Sequence, residues 1–331
     1  MLKFKEIREM DDMYDPEDVV LLEYVTFKNH KPIIYNNVVI NSVDVLVAVC
    51  ELGKDLLDLA LKGKSLSYIT KNNYDLEHII EMLNKDDVTQ IVNKWMLENG
   101  LPYVKEDYDK LEAIVWHSML CHVFRALHKH IIAFKTIKSA KEHEEIPTKY
   151  KLQFYLSLVR DIFVFTMTSG KSQKYVGDLV NEIMDNDELD IIVKEFKERK
   201  IKSYSKYMNK DILKLFDASM ISYILCEIYN YNLTENFKLT RQMPIYNKDS
   251  KEIRFYNTAT SLIGIAYNRL LINLTTTKWG NVRRECANPD CYNVFVKCGK
   301  NEFCSKCIDS GIARKIIYQR YNAKRKDQSM K

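Results

Sequence analysis

The chain has 331 residues, of which 46% are hydrophobic and 29% charged, with only nine glycines and six prolines. This usage, close to that of ordinary soluble domains, excludes an intrinsically disordered protein, and the scarcity of glycine and proline favours long helices over a strand-rich sandwich. Residues 281–331 hold twelve Lys or Arg and five Asp or Glu, a charge of +7, whereas the first 280 residues hold 38 and 40, a charge of −2. The basic excess therefore belongs to the C-terminal segment.

No apolar run is long enough to span a bilayer, and the first residues are too charged for a signal peptide. Cys50, Cys121 and Cys226 stand singly in apolar surroundings, where an unpaired cysteine usually behaves as a small buried hydrophobe. A secreted disulfide framework would show a different spacing. We therefore expect a cytoplasmic protein without membrane contact.

Residues 1–42 are predicted to form an N-terminal arm that contains β-structure. Val19 to Phe27 is rich in β-branched and aromatic residues, and Lys31 to Ser42 has two apolar runs around Asn36 and Asn37, the pattern of a hairpin. An irregular arm over a helical core is the alternative.

Residues 43–280 are predicted to form a helical body. Apolar residues recur at the three- and four-residue spacing of one buried helix face at Val45, Leu46, Val49, Leu52, Leu56, Leu57 and Leu61. Asp87 is the expected N-cap of the next helix, which ends at Asn99 to Pro102, and Glu106 to Ile137 is predicted to be a central core helix.

The charged stretch Lys138 to Lys151 is the best candidate for a subdivision of this body. Beyond it, further helices are predicted at Leu152–Met167, Tyr175–Met184, Leu189–Lys197 and Asp211–Tyr229. Met243 to Asn257 resembles a second hairpin with its turn at Asn247 to Ser250, and a last helix follows it. The predicted fold class is mainly α, a multi-helix body with minor β hairpins and a small cysteine-rich module at its C-terminus.

This C-terminal module, residues 281–331, carries two closely spaced cysteine pairs. Cys286 and Cys291 are spaced C-x4-C, Cys304 and Cys307 are spaced C-x2-C, and twelve residues separate the pairs. Thiolates on two short loops can reach one tetrahedral zinc ion, and twelve residues allow a hairpin that folds one pair back onto the other. We predict one zinc ion bound by Cys286, Cys291, Cys304 and Cys307.

The predicted zinc site is structural and not catalytic. Four thiolates saturate the ion, and the last histidine of the chain is His143, so the module has no histidine ligand or base. Cys298 is the fifth cysteine of the segment and is expected near the turn, away from both pairs.

A basic helix is predicted after the second pair, with Asp309 or Ser310 as its N-cap. Ile312, Ile316, Ile317 and Tyr321 are expected to pack against the cysteine loops. The residues expected to bind nucleic-acid phosphates are Arg314, Lys315, Arg320, Lys324 and Arg325, with Tyr318 and Tyr321 near sugars or bases.

The segments RRECANPDCYNVFV, NEFCSKC and ARKIIYQRYNAKRK resemble the CGNR-type, ABATE-associated zinc finger. The resemblance rests on Cys286 and Cys291 at the same short spacing, on Phe295, and on Cys304 followed by Ser305. It departs from the family after Cys307, where Ile308 replaces the name-giving glycine. The resemblance implies a treble-clef module at the end of a helical transcription or stress-response regulator.

Three classes of function are considered, and the first of them is favoured. The first is a DNA-binding regulator whose helical body serves as a sensor or in dimerisation, with a homo-oligomer as an accompanying expectation. The second is a protein-interaction or inhibitor protein, of the kind found in phage, mobile elements or defence, in which the module is purely structural.

The third class is an enzyme, and the sequence contains no P-loop, dinucleotide-binding, HExxH or GxSxG motif. His117, Cys121 and His128 lie on one predicted helix face, but such residues in an apolar helix are more often structural. We therefore expect no catalytic activity.

Overall fold

The computed structural model describes residues 2–6, 17–72, 74–102, 111–137, 151, 154–159, 239–247, 252–275, 283–296 and 299–329. Helix is the main secondary structure of this part of the chain, and most strands form one small mixed sheet. No helix within it has both the length and the apolar character needed to cross a bilayer. The helices predicted from Tyr175, Leu189 and Asp211, together with residues 138–150 and Cys226, lie outside the described residues.

The chain divides into two compact units, each built from separate segments. The first unit comprises Met1–Ala60, Met82–His122 and Ile228–Gly280, and the second comprises Leu61–Glu81, Val123–Glu227 and Asn281–Lys331. This division differs from the predicted sequence of an N-terminal arm (residues 1–42), a helical body (43–280) and a C-terminal module (281–331). The boundaries of those three segments stay a prediction.

The first unit contains a five-stranded sheet made of β1 (Phe4–Glu6), β2 (Asp18–Lys28), β3 (Lys31–Asn41), β4 (Leu239–Asn247) and β5 (Glu252–Ala259). Its strand order is β1-β3-β2-β5-β4. The predicted second hairpin is confirmed as the antiparallel pair β4 and β5, although its turn lies outside the described residues. β2 also runs parallel to β5, with Val20 opposite Thr258, so the two hairpins form one mixed sheet.

The first hairpin turns at a different place from the predicted one. β2 pairs antiparallel with β3 from Asp18 opposite Asn41 to Lys28 opposite Lys31, which leaves Asn29 and His30 as a two-residue turn. Both have positive φ, 51° and 60°, as a hairpin turn of type I′ requires. Asn37 also has a positive φ but lies within β3, so the prediction of a turn at Asn36 and Asn37 was wrong.

The described part of the first unit contains the helices α1 (Ser42–Ala60), α4 (Lys85–Asn99), the first part of α5 (Leu111–Ile137) and α6 (Leu262–Thr275). The predicted buried face of α1 is confirmed from Val45 to Leu57. α4 is capped by Asn84, whose side chain accepts a hydrogen bond from the Asp86 amide, so Asp87 is a first-turn residue and not the N-cap. Gly100 ends α4 as predicted, with a φ of 84°.

A glycine marks the closest approach between α1 and α5. A Cβ at Gly53 would lie 2.0 Å from the carbonyl oxygen of Ser118 and 2.8 Å from the amide nitrogen of Met119. Only a residue without a side chain fits at this distance.

The described part of the second unit contains α2 (Leu66–Lys71), α3 (Leu76–Glu81), the rest of α5, and a short helical stretch at 154–158. The C-terminal module follows, with β6 (Arg283–Glu285), β7 (Val294–Val296), α7 (Ser305–Asp309) and α8 (Ile312–Ser329). These two strands form a separate two-stranded sheet.

Candidate metal centre

The four predicted cysteine ligands are brought together in the C-terminal module. The sulfur atoms of Cys286, Cys291, Cys304 and Cys307 all lie within 4.8 Å of one another, and those of Cys291 and Cys304 are 3.7 Å apart. Four sulfurs at about 2.3 Å from a tetrahedral zinc ion would be about 3.8 Å from each other. The spacing of the donor atoms therefore fits a tetrahedral metal site.

The first cysteine pair lies in the loop of a β-hairpin. β6 pairs antiparallel with β7, with Glu285 opposite Val294, so the hairpin encloses the Cys286–Cys291 loop. The Cys286 amide donates to the Asn293 carbonyl at 2.9 Å, and the Cys291 amide donates to the Asn288 carbonyl at 3.0 Å. The hairpin was predicted between the two pairs, whereas the paired strands β6 and β7 flank the first pair.

The second cysteine pair lies at the start of α7 and is hydrogen-bonded to the segment of the first pair. The Ala287 amide donates to the Glu302 carbonyl at 2.8 Å, and the Cys304 amide points at the sulfur of Cys286 at 3.5 Å. The side-chain amides of Asn288 and Asn293 donate to the sulfurs of Cys307 and Cys304 at 3.4 and 3.7 Å. N–H donors aimed at sulfur stabilise the thiolate form that a metal requires.

As free thiols, the cysteines have different acidities. Burial raises the pKa of Cys286 and of Cys291. Burial also acts to raise the pKa of Cys304, but hydrogen bonds from the Cys307 backbone, Asn293 and the neighbouring thiols outweigh it and lower this pKa to about 7. Cys304 is therefore more acidic than an ordinary thiol.

Two cations from the second half of α5 anchor the first cysteine loop within the second unit. Arg125 bonds to Glu285 through Nε at 2.9 Å and to the Tyr292 carbonyl through Nη2 at 2.7 Å. Lys129 donates to the carbonyl of Cys286 at 3.1 Å and to that of Cys291, and its Nζ is 3.4 Å from Glu285. With Glu285, these two buried cations form a group of net charge +1, which would partly offset the charge of a zinc tetrathiolate, about −2.

A second group of contacts supports the same loop. Asp290 lies 3.7 Å from Nε2 of the buried His130 and also pairs with Lys151, while the His130 ring stacks on Tyr155 at 5.3 Å. Burial lowers the pKa of His130 to about 4, although Asp290 acts in the opposite direction. The loop is thus fixed to two helical segments through side chains as well as through its own hairpin.

The sequence interpretation missed the anchoring residues Arg125, Lys129 and Glu285. A signal for them does exist, because Arg125 and Lys129 are two basic residues spaced by four on a helix rich in apolar residues. A cation pair on a buried helix face needs acceptors from another segment.

α8 packs on the cysteine cluster by one face. Ala313 and Ile316 join the buried group formed by Cys286, Phe303, Cys304 and Cys307. Ile312, Ile317 and Tyr321 were expected in this contact but are 41%, 54% and 59% exposed, so they contribute little to the buried group. Gly311 directly precedes α8, and Ser310, a predicted cap, instead donates its hydroxyl to the Cys307 carbonyl.

The predicted phosphate-binding residues lie on α8 in two different settings. Arg314, Lys315 and Arg325 are exposed, and Lys324 belongs to the same helix. Arg320 bonds to Glu302 at 2.8 Å and lies over the Phe303 ring at 5.8 Å, so it takes part in the packing of the module. Cys298 lies outside the described residues.

The histidine and cysteine considered for an enzyme are core residues of the first unit. Nδ1 of His117 is 3.1 Å from the hydroxyl of the buried Tyr267, and burial lowers the pKa of His117 to about 4. Burial raises the pKa of the Cys121 thiol. Neither side chain has the exposure that a substrate would need.

No protein-family model, curated protein or solved structure matches the chain. The clustered cysteines support a metal-binding module at the C-terminus, and no family match accompanies the resemblance to the CGNR-type finger.

Proposed function

We propose that the four cysteines hold one structural zinc ion and that the C-terminal module built on it binds DNA through α8. The observation that carries the proposal is the convergence of four thiols immediately before an exposed basic helix. An all-thiolate tetrahedral set favours zinc over magnesium or calcium, which prefer oxygen ligands.

A structural role follows from the number of ligands. Four cysteines complete the coordination of zinc and leave no position for water or substrate. Among the described residues of the module, the buried hydrophobic ones are few, namely Cys286, Phe303, Cys304, Cys307 and Ala313. A core of this size is insufficient for stability without a metal, so the ion would supply folding free energy to the segment that presents α8.

The charge of the module supports an anionic partner. Residues 281–331 carry +7, whereas the rest of the chain carries −2. Arg314, Lys315 and Arg325 are exposed on α8, which Ala313 and Ile316 fix to the cysteine cluster. When cations fixed on a rigid helix contact phosphates, counterions condensed on the DNA are released, which favours binding.

The salt dependence of DNA binding tests this proposal. We expect the affinity of the full chain for a short DNA to fall steeply between about 50 and 200 mM salt. Replacing Arg314, Lys315 and Arg325 with alanine should weaken binding and reduce the slope of log K against log salt by about one for each phosphate contact removed.

A matched control removes exposed lysines elsewhere. Lys85→Ala with Lys94→Ala takes two exposed charges from α4 and should leave the slope unchanged. Absence of binding to any DNA at low salt, with zinc bound, would refute the proposal.

A protein partner is the second candidate function, and three exposed isoleucines favour it. Ile308, Ile312 and Ile317 are each more than two-fifths exposed in or beside α8. Large aliphatic side chains left exposed on a small module offer apolar surface to a protein partner. Retention of one stoichiometric protein partner after the triple alanine replacement, with no DNA binding by the unaltered chain, would favour this function.

A further inference from the structure

The exposed face of α8 carries a regular arrangement of arginine and tyrosine. Arg314, Tyr318, Tyr321 and Arg325 are spaced by four, three and four residues, which places all four side chains on one stripe of the helix. We call this set the Arg-Tyr stripe. It extends about 16 Å along the helix axis.

This stripe lies away from the face that packs on the cysteine cluster. Ala313, Ile316 and Arg320, which contact the module, are also spaced by three and four but fall on the opposite side of the helix. Tyr318 is 65% exposed and Tyr321 is 59% exposed. The two rings are therefore available to a ligand and contribute little to the folding of the module.

We propose that the Arg-Tyr stripe binds single-stranded DNA, with unpaired bases stacked on Tyr318 and Tyr321 and phosphates held by Arg314 and Arg325. This inference rests on the proposed function and specifies the form of DNA that the module takes.

The two residue types of the stripe match two different parts of a single strand. The arginines complement phosphate charge, in a module that carries +7. An exposed aromatic ring offers a flat apolar surface to a base, and base stacking on aromatic side chains is a main source of affinity in single-strand binders. In a duplex the base faces are already covered by neighbouring bases, so the two rings could contact only backbone or groove edges.

Single-strand binding also accounts for the two tyrosines of the stripe, since a helix that bound phosphates alone would favour lysine at these positions. Two rings three residues apart rise by about 4.5 Å along the helix, which suits neighbouring bases of one strand. A positively charged surface with interleaved aromatic rings is the general design of single-strand binding sites.

The test measures the binding of the full chain to three DNA probes and one RNA probe at one salt concentration. The probes are a labelled thymidine 12-mer, the matching duplex, a 12-mer of the same phosphate number with abasic residues, and an RNA 12-mer of the same sequence. We expect the single strand to bind at least about tenfold more tightly than the duplex or the abasic strand.

Tyrosine variants separate stacking from hydrogen bonding and from charge. Tyr318→Ala with Tyr321→Ala should weaken single-strand binding by about tenfold or more and leave duplex binding within about twofold. Tyr318→Phe with Tyr321→Phe keeps both rings and should bind the single strand like the unaltered chain. Equal zinc content in all variants shows that the module is folded.

The outcomes distinguish this inference from the function on which it rests. Duplex binding as tight as single-strand binding, or a phenylalanine variant as weak as the alanine variant, overturns the inference while DNA binding stands. Tighter binding of the RNA strand overturns the assignment to DNA. No binding of any form at low salt overturns the proposed function itself.

Discussion

Gly53 illustrates how a single atom limits the packing of the first unit. An alanine Cβ there would lie 2.0 Å from the Ser118 carbonyl oxygen and 2.4 Å from its carbon, both backbone atoms that cannot rotate away. Gly53→Ala should therefore lower the free energy of unfolding by about 3 kcal/mol or more, even though alanine gains about 1 kcal/mol in helix propensity.

Gly63→Ala is the matched control for this prediction, measured by urea unfolding. A Cβ at Gly63 meets nothing within 4 Å, and only its positive φ of 75° opposes alanine. A cost of about 1–2 kcal/mol is expected there. Equal losses at the two positions would contradict the close approach of α1 and α5.

His117 makes the stability of the first unit depend on pH. Its pKa is about 4 in the folded chain, because the side chain is buried against Tyr267, and about 6.5 when unfolded. Between these values this side chain binds more protons in the unfolded chain, so its contribution to stability falls as the pH falls from about 6.5 to about 4 and changes no further below that. The full loss is about 3 kcal/mol.

The pH effect of His117 can be isolated by His117→Gln, which keeps a polar side chain beside Tyr267. Free energies of unfolding at pH 7 and pH 4.5 should differ less in this variant than in the unaltered chain. His130, with its pKa also about 4, should contribute to the dependence that remains. An unchanged difference in the His117→Gln variant would show that His117 is not the titrating group.

At the scale of elements, α5 is the support of the cysteine module. Lys129 is 8% exposed and bonds to the carbonyls of Cys286 and Cys291. Lys129→Met would leave these carbonyls and Glu285 without that cation in a buried site, which typically costs about 3–5 kcal/mol. We expect a loss of this size in the free energy of unfolding of the second unit, measured by urea titration in the presence of zinc.

Lys151→Met provides the comparison, since it removes a lysine that bonds to the same loop at a more exposed position. Lys151 pairs with Asp290, whose side chain is 53% exposed, and surface pairs contribute about 0–1 kcal/mol. If the two variants lose the same stability, the anchoring role of Lys129 is wrong.

Local sequence patterns predicted the presence of helices and strands better than the residues at which they begin and end. The apolar period of α1 and the glycine after α4 were sufficient to place both helices, because helix periodicity and C-terminal glycines depend on nearby residues. The caps and turns were harder. Asn84 and Asp87 are both suitable N-cap residues for α4, and the structure uses Asn84. The turn of the first hairpin is at Asn29 and His30, although Asn36 and Asn37 have an equally turn-like composition.

At the scale of the whole molecule, contacts between segments far apart along the chain could not be predicted from sequence patterns. The hairpins β2–β3 and β4–β5 could be recognised separately, but the parallel pairing of β2 with β5 joins Val20 to Thr258, far apart along the chain, and no local pattern indicates it. The same holds for Arg125 and Lys129, whose partners at 285–292 are far along the chain. The cysteine ligands were predictable because their spacing alone encodes the site.

The metal content of the purified chain tests the central claim most directly. Elemental analysis should find one zinc per chain, retained in Cys298→Ser and lost in Cys286→Ser or Cys304→Ser. Less than one zinc in protein prepared without chelator, or loss of zinc in the Cys298 variant alone, would contradict the four-cysteine site on which the proposed function depends.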